Sequence, residues 1–227
     1  MRHGKIACVI PAYNEEGRIG KTIRKVKPYC GCIVVVDDGS MDGTAKEASA
    51  EFVHILFHRV RCGVGEALKT GFKEVLKFRD IEYVVTIDAD GQHNPDEIPK
   101  MLKPLLKMEA DIVIGSRLLG DASTMPVHRL IANKILSWLT SRICGLKITD
   151  SQSGFRAYNR QAVEKLLGSH LKGYSWASSM IIDAVRKDLR VKEVPIQTIY
   201  LKGRKGANLE VMLEILFFLL RKALLEP

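Results

Sequence analysis

The sequence predicts an α/β fold: a mostly parallel central sheet flanked by helices, with an amphipathic helical extension at the C-terminus. Three observations carry this. Short apolar, β-branched runs at residues 5–10, 33–36, 53–57, 83–87 and 111–115 alternate with stretches of helical periodicity. Three of those runs end in polar loops rich in Asp, Glu and Gly. No linker-like composition divides the chain. Taken in order, residues 16–26 place Ile19, Ile23 and Val26 on one side of a helix, and residues 44–52 read as helix. Residues 65–78 bring Leu68, Phe72, Val75 and Leu76 to one face, and Pro95 suits the first turn of a helix running towards Met108. The second half is less regular. Residues 126–144 read as an amphipathic helix, 155–158 as a short strand, 175–187 as helix and 191–200 as an extended segment. Residues 1–206 therefore form one expected domain, and 207–227 an apolar helix added to it.

The 227 residues and 46% apolar content suffice for a well-buried core. The net charge of +9 implies an anionic partner. The basic residues are dispersed and form no nucleic-acid-binding motif, which favours a nucleotide-linked substrate or anionic lipid over nucleic acid. Five irregularly spaced cysteines argue against a disulfide framework, and Cys30-Gly31-Cys32 lacks the second ligand pair of a zinc knuckle. Cys8 and Cys32 fall in strand-like runs as small core residues. With no signal-peptide core at the N-terminus, a reducing cytoplasm is the expected compartment. No run of about 20 apolar residues is present. The closest approach is 209–225, interrupted by Glu210, Glu214, Arg221 and Lys222. That segment reads equally as a helix packed on the core or one lying on a bilayer.

The most informative stretch is Asp88-Ala89-Asp90-Gly91-Gln92-His93, which follows an apolar strand. Two hard oxygen ligands one residue apart suit Mg²⁺ or Mn²⁺, ions that usually bind substrate phosphates as well. Taken alone, the same residues make an ordinary Asp-rich turn. Pro11-Ala12-Tyr13-Asn14-Glu15-Glu16 and Asp37-Asp38-Gly39-Ser40 also follow strands. In a parallel sheet all three loops converge on one edge, where ligands bind. There an acidic group can accept from a base N–H or a ribose hydroxyl, and Tyr13 can stack on a base.

In joint order and spacing these motifs resemble the family 2 glycosyltransferases with the GT-A fold, within the dolichyl-phosphate mannosyltransferase and polyprenyl-phosphate glycosyltransferase branch. The matching motifs run from Pro11 to about Asn208. The resemblance implies that Pro11, Tyr13, Glu15, Val36 and Asp38 line a nucleoside pocket, and that Asp88, Asp90 and Gln92 hold Mg²⁺ or Mn²⁺. It implies that Arg117, in Gly115-Ser116-Arg117, reaches a phosphate and that Arg129 faces the acceptor phosphate. Asp150-Ser151-Gln152-Ser153-Gly154-Phe155-Arg156 resembles the acceptor-side motif, and Gly203-Arg204-Lys205-Gly206 the basic loop that closes over the donor. His93 reads as a supporting contact behind the metal ligands. The chain departs from the family pattern at Arg61, where Asn is frequent, and near Ser179, where a carboxylate is common.

The implied activity is inverting transfer of a hexose from a GDP- or UDP-linked sugar to a polyprenyl or dolichyl phosphate. The enzyme would lie peripherally on the cytoplasmic face of an anionic membrane. A metal held by Asp88 and Asp90, helped by Arg117 and Arg204, would neutralise the charge of the leaving diphosphate. A saccharide acceptor would need a base, for which Asp150 is the candidate. Two other readings compete: a sugar-nucleotide pyrophosphorylase, whose Gly-rich N-terminal loop is absent here, and a nucleotide-sugar-binding protein without turnover.

Overall fold

A computed structural model describes residues 3–122, 125–168, 175–197, 199 and 209–225. Strand β1 (Ile6–Ala12) leads through a loop to helix α1 (Ile19–Val26), then β2 (Cys32–Asp37), α2 (Thr44–Ser49), β3 (His54–Phe57) and α3 (Val64–Val75). β4 (Tyr83–Thr86), α4 (Ile98–Leu106) and β5 (Ile112–Ser116) follow. The second half supplies α5 (Val127–Cys144), β6 (Arg156–Asn159), α6 (Arg160–Leu166), α7 (Trp176–Arg186), β7 (Val191–Pro195) and α8 (Leu209–Leu225). The sheet has seven strands in the order β3-β2-β1-β4-β6-β5-β7.

All neighbours are parallel except β6, which runs antiparallel to both β4 and β5. The sheet is buried on both faces, so its central strands read as continuous apolar runs. Val34 and Val36 point to the face covered by α3, α6 and α7, where Leu68, Phe72 and Met180 pack. Ile33 and Val35 point to the face covered by α1, α2 and α4, with Ile23, Met101 and Leu102. Helix α3 approaches β1 closely because Gly71 has no side chain: a Cβ there would lie 2.3 Å from Val9 Cγ1.

The structure corrects several sequence expectations. Helix α1 starts at Ile19 rather than at residue 16, because Gly17 adopts φ +78° and breaks the helical path. The Glu47 carboxylate then accepts from the backbone N–H groups of Gly17 and Gly20, placing an anion at the helix start. Helix α6 was not foreseen; Asn159 caps it by accepting from Ala162 N–H at 2.8 Å. The short strand at 155–158 is β6, the reversed strand in the middle of the sheet.

Both apolar helical segments pack on the domain and also show apolar faces to solvent. Leu136, Ile182, Ile215 and Leu219 form a buried cluster joining α5, α7 and α8. Along the outside of α5 run Val127, Ile131, Ile135 and Trp138, and along α8 run Leu213, Phe217 and Leu220, all exposed. Each helix thus has one apolar side packed on the domain and another exposed. Among the described residues no helix is long and apolar enough to cross a membrane.

Candidate active site

The C-terminal ends of β1, β2, β4 and β5 share one sheet edge, and the reversal of β6 brings its N-terminal end there too. Two of the loops at this edge brace each other. Asn14 N–H donates to Ser40 Oγ, Met41 N–H to Asn14 Oδ1, and Glu15 N–H to Thr44 Oγ1. They wall a cavity of about 570 Å³ whose lining includes Pro11, Tyr13, Glu15, Asp38, Asp88 and Asp90. Six of the residues singled out from sequence therefore meet in one place. Arg61 also lines it, with its guanidinium 4.3 Å from the centre of the Tyr13 ring, a cation–π contact.

Asp88 and Asp90 are partly exposed, and Ala89 between them is buried, its carbonyl accepting from Thr22 Oγ at 3.1 Å. Anchoring Ala89 turns both carboxylates to the open side. His93 is buried and its Nε2 lies 3.0 Å from Asp88 Oδ2, which orients that carboxylate. Asp90 Oδ1 accepts from Gln92 N–H at 2.9 Å. The loop before β6 lies against Asp88: a Cβ on Gly154 would stand 2.6 and 2.7 Å from its two oxygens, so only glycine leaves the carboxylate its place. An all-oxygen pair oriented from behind fits a hard divalent cation. On the other side of Asp90 a recess of about 260 Å³ is lined by Arg18, Lys21, Lys25 and His93.

Asp38 is buried and its carboxylate is committed to the chain. Oδ1 accepts from Cys62 N–H at 2.8 Å and Oδ2 from Gly63 N–H at 2.7 Å, and His58 Nδ1 lies 2.7 Å from Oδ1. Its anion thus sits at the start of α3, where the helix dipole favours it.

Four expectations change. Val36 is wholly buried in the sheet core and does not line the cavity, because alternation along β2 turns it to the α3 face. Gln92 enters through its backbone: its N–H holds Asp90 and its carbonyl accepts from Ile199 N–H. Asp150, the candidate base, has no exposed surface and is clamped by Arg117. The Arg117 N–H and Nε donate to Oδ2 at 3.0 and 2.7 Å, and Nη2 donates to Oδ1 at 2.8 Å. Burial pushes the Asp150 carboxyl up, but the charge and hydrogen bonds of Arg117 outweigh it and leave it below the usual range. A carboxylate so held is a poor proton acceptor. Arg117 in turn is a clamped guanidinium outside the cavity lining.

Arg129 is half-buried in the first turn of α5 and is likewise not a lining residue. Arg204 and its loop lie outside the described residues.

Sequence reasoning missed the groups that hold these residues. Glu193 on β7 accepts from the Thr149 and Asp150 N–H groups at 2.8 and 2.9 Å and so fixes the turn carrying Asp150. Burial raises the Glu193 carboxyl. Arg156 is completely buried, donating Nε to Ser153 O and Nη2 to Ser151 O and Ala177 O, with its guanidinium 5.0 Å from the Trp176 ring centre. It lies near enough to Asp150 and Asp88 to feel both charges. No local pattern marks Glu193, and Arg156, although it closes the Asp150–Arg156 motif, carries no local sign of its burial or of the carbonyls it holds.

Comparison with known proteins extends this picture. The model of the family described as Glycosyl transferase family 2 matches residues 7–167. A UDP-N-acetylglucosamine–dolichyl-phosphate N-acetylglucosaminyltransferase of Methanococcus voltae is 35% identical, over 95% of this chain and 94% of that protein. A polyprenol monophosphomannose synthase of Mycolicibacterium smegmatis is 34% identical, over 83% of this chain and 75% of its own length. Among solved structures, glucosyl-3-phosphoglycerate synthase from Mycobacterium tuberculosis, in complex with Mn²⁺, UDP and phosphoglyceric acid, superposes with a TM-score of 0.76. It is 22% identical and covers 99% of this chain and 80% of its own, a likeness of fold.

Proposed function

This chain belongs to glycosyl transferase family 2, and from that premise we propose that it moves a hexose from a nucleoside-diphosphate sugar to a polyprenyl phosphate. The observation that carries the reading is the cavity in which Tyr13, Glu15 and Asp38 meet the Asp88–Asp90 pair. A base stacks on Tyr13, and Glu15 faces the nucleoside. Asp38 shapes that end of the cavity by holding the Cys62–Gly63 backbone. Asp88 and Asp90 are the residues that hold Mg²⁺ or Mn²⁺, whose contribution when bound is to neutralise charge on the leaving diphosphate. His93, Gly154 and the Gln92 backbone keep the two carboxylates in position.

The acceptor phosphate is already an anion. Its oxygen attacks the anomeric carbon as the bond to the nucleoside diphosphate breaks, which inverts that carbon. No side-chain base is required, which agrees with the clamped state of Asp150. The names of the Methanococcus and Mycolicibacterium relatives support a lipid phosphate acceptor. So do the exposed apolar stripes of α5 and α8, which fit a membrane surface where such a lipid resides. Cations on and beside those stripes, such as Arg142 over Trp138, suit anionic headgroups.

The experiment is transfer by purified protein, with GDP- and UDP-hexoses as donors and Mn²⁺ added or chelated. A short polyprenyl phosphate is set against a soluble saccharide as acceptor. Metal-dependent transfer to the lipid phosphate, lost in Asp90→Ala with the fold retained, is the expected result. Transfer to the saccharide alone, or full activity in Asp90→Ala, overturns the proposal.

A further inference from the structure

The nucleoside end of the cavity contains a second set of metal-ligand atoms, chemically unlike the Asp88–Asp90 pair. Asp38 follows β2, His58 follows β3, and Cys62 precedes α3. Each offers one ligand atom, and these atoms all lie within 4.8 Å of one another. The set is one carboxylate oxygen, one imidazole nitrogen and one thiol sulfur. Sulfur and nitrogen favour a borderline-soft ion such as Zn²⁺, whereas Asp88 and Asp90 offer only oxygen to a hard ion.

Two of the three ligands are already oriented. The Asp38 carboxylate is fixed by the Cys62 and Gly63 N–H groups, at 2.8 and 2.7 Å. His58 Nε2 lies 2.9 Å from Thr70 Oγ1. A hydroxyl serves either tautomer of the ring, donating to a bare Nε2 or accepting from a protonated one. The second arrangement is what a histidine bound to metal through Nδ1 requires, since its other ring N–H needs an acceptor. Cys62 is exposed, with its Sγ 3.2 Å from Val60 O, so its thiol turns without disturbing the core.

A tetrahedral ion with bonds of about 2.0 Å to nitrogen or oxygen and about 2.3 Å to sulfur holds its ligand atoms roughly 3.3–3.5 Å apart. The His58–Asp38 contact of 2.7 Å has to open by about 0.6 Å, and the sulfur, within 4.8 Å of both, has to close by about 1.3 Å at most. Asp38 and Cys62 both line the cavity, so the fourth coordination position faces its interior.

We propose that Asp38, His58 and Cys62 bind a Zn²⁺-class ion, and that this ion and the donor nucleoside exclude one another. Binding forms the three ligand bonds and releases the Cys62 thiol proton to solvent, while His58 binds through Nδ1 as the neutral ring that carries its one proton on Nε2 towards Thr70 Oγ1. The exclusion rests on reading this cavity as the nucleoside pocket; the metal site does not.

Co²⁺ is the probe, because thiolate ligation gives it a charge-transfer band that oxygen ligands do not. One equivalent of Co²⁺ added to the whole protein produces that band, and Zn²⁺ displaces it. Cys62→Ser abolishes the band, and His58→Ala weakens Co²⁺ binding by about tenfold or more. Asp90→Asn retains the band, which separates this site from the oxygen pair. No thiolate band in the wild type, or a band that survives Cys62→Ser, overturns the metal site. A nucleoside diphosphate that bleaches the band confirms the exclusion. A band sensitive to Cys62→Ser but indifferent to saturating nucleotide supports the site and overturns the exclusion, while transfer assays report on the activity separately.

Discussion

Substituting Asp150 by Asn keeps the size of the side chain and removes its charge. In the native site Arg117 donates three hydrogen bonds to this carboxylate, and Asp150 has no exposed surface. The amide retains one acceptor oxygen and turns an NH₂ donor towards guanidinium donors. Removing one partner of a buried ion pair costs about 3–5 kcal/mol. Arg117 keeps 17% of its side-chain surface exposed and so regains some hydration, which places this loss at the low end, about 3 kcal/mol. The measurement is urea unfolding followed by fluorescence of Trp138 and Trp176, for Asp150→Asn, Arg117→Met and the double variant. The clamp predicts a coupling energy of about 2 kcal/mol or more between the two positions. Transfer activity should fall with stability, because the 150–154 loop is packed on Asp88. A coupling below about 0.5 kcal/mol would refute the clamp. An Asp150→Asn protein of native stability and no activity would restore Asp150 to the role of a base.

Gly154→Ala should reduce Mn²⁺ affinity by about tenfold or more with little change in fold, since the new Cβ displaces the Asp88 carboxylate; Mn²⁺ titration by electron paramagnetic resonance checks this, and native affinity refutes it. Asp111 receives hydrogen bonds from the Arg190 side chain, and these hold its carboxyl at about 2 against an ordinary 3.8. A depressed carboxyl contributes stability that is complete above the ordinary value and is lost as pH falls towards 2. With Arg190 more than half exposed, Asp111→Asn should cost on the order of 1 kcal/mol at neutral pH. That deficit should vanish near pH 2, and urea midpoints that differ equally at both pH values would contradict it. Replacing Trp138 and Phe217 together by Ser should weaken co-sedimentation with anionic vesicles at least about tenfold, given about 1.5–3 kcal/mol for burying each large apolar side chain. Unchanged sedimentation removes α5 and α8 from the membrane contact.

The cavity lined by Tyr13, Asp38 and Asp90 was legible because each element there announces itself. β1, β2 and β4 are buried on both faces and read as unbroken apolar runs, and each is followed at once by its polar loop. The cavity then assembles from short-range rules applied three times. The part of the site around Asp150 depends on contacts distant in sequence. Asp150 and Arg117 are 33 positions apart, and Glu193 reaches Asp150 across 43. Nothing local distinguishes a carboxylate bound for a guanidinium from one exposed to solvent. Val36 shows the opposite error: it lies in the right strand, but alternation sends its side chain to the core. The role of β6 was hidden as well, since four residues of mixed polarity do not declare the direction in which they pair.

The reversal of β6 makes the alignment of the site discontinuous. Arg156 pairs with Thr86 on one side and Ile114 on the other, locking the 150–155 loop to the strand that leads to Asp88 and to the strand that leads to Arg117. Strand pairing permits displacement only in whole residues, each about 3.4 Å, and a single step also turns every side chain to the opposite face. Catalytic constellations tolerate errors of about 0.5 Å. The two halves of the site therefore have no nearby misaligned state to drift into. The next available register is too far to function, and it would expel the Arg156 guanidinium from its buried carbonyl cage. The loop between Asp150 and Phe155 can therefore change in sequence while the ladder below it preserves its distance from Asp88.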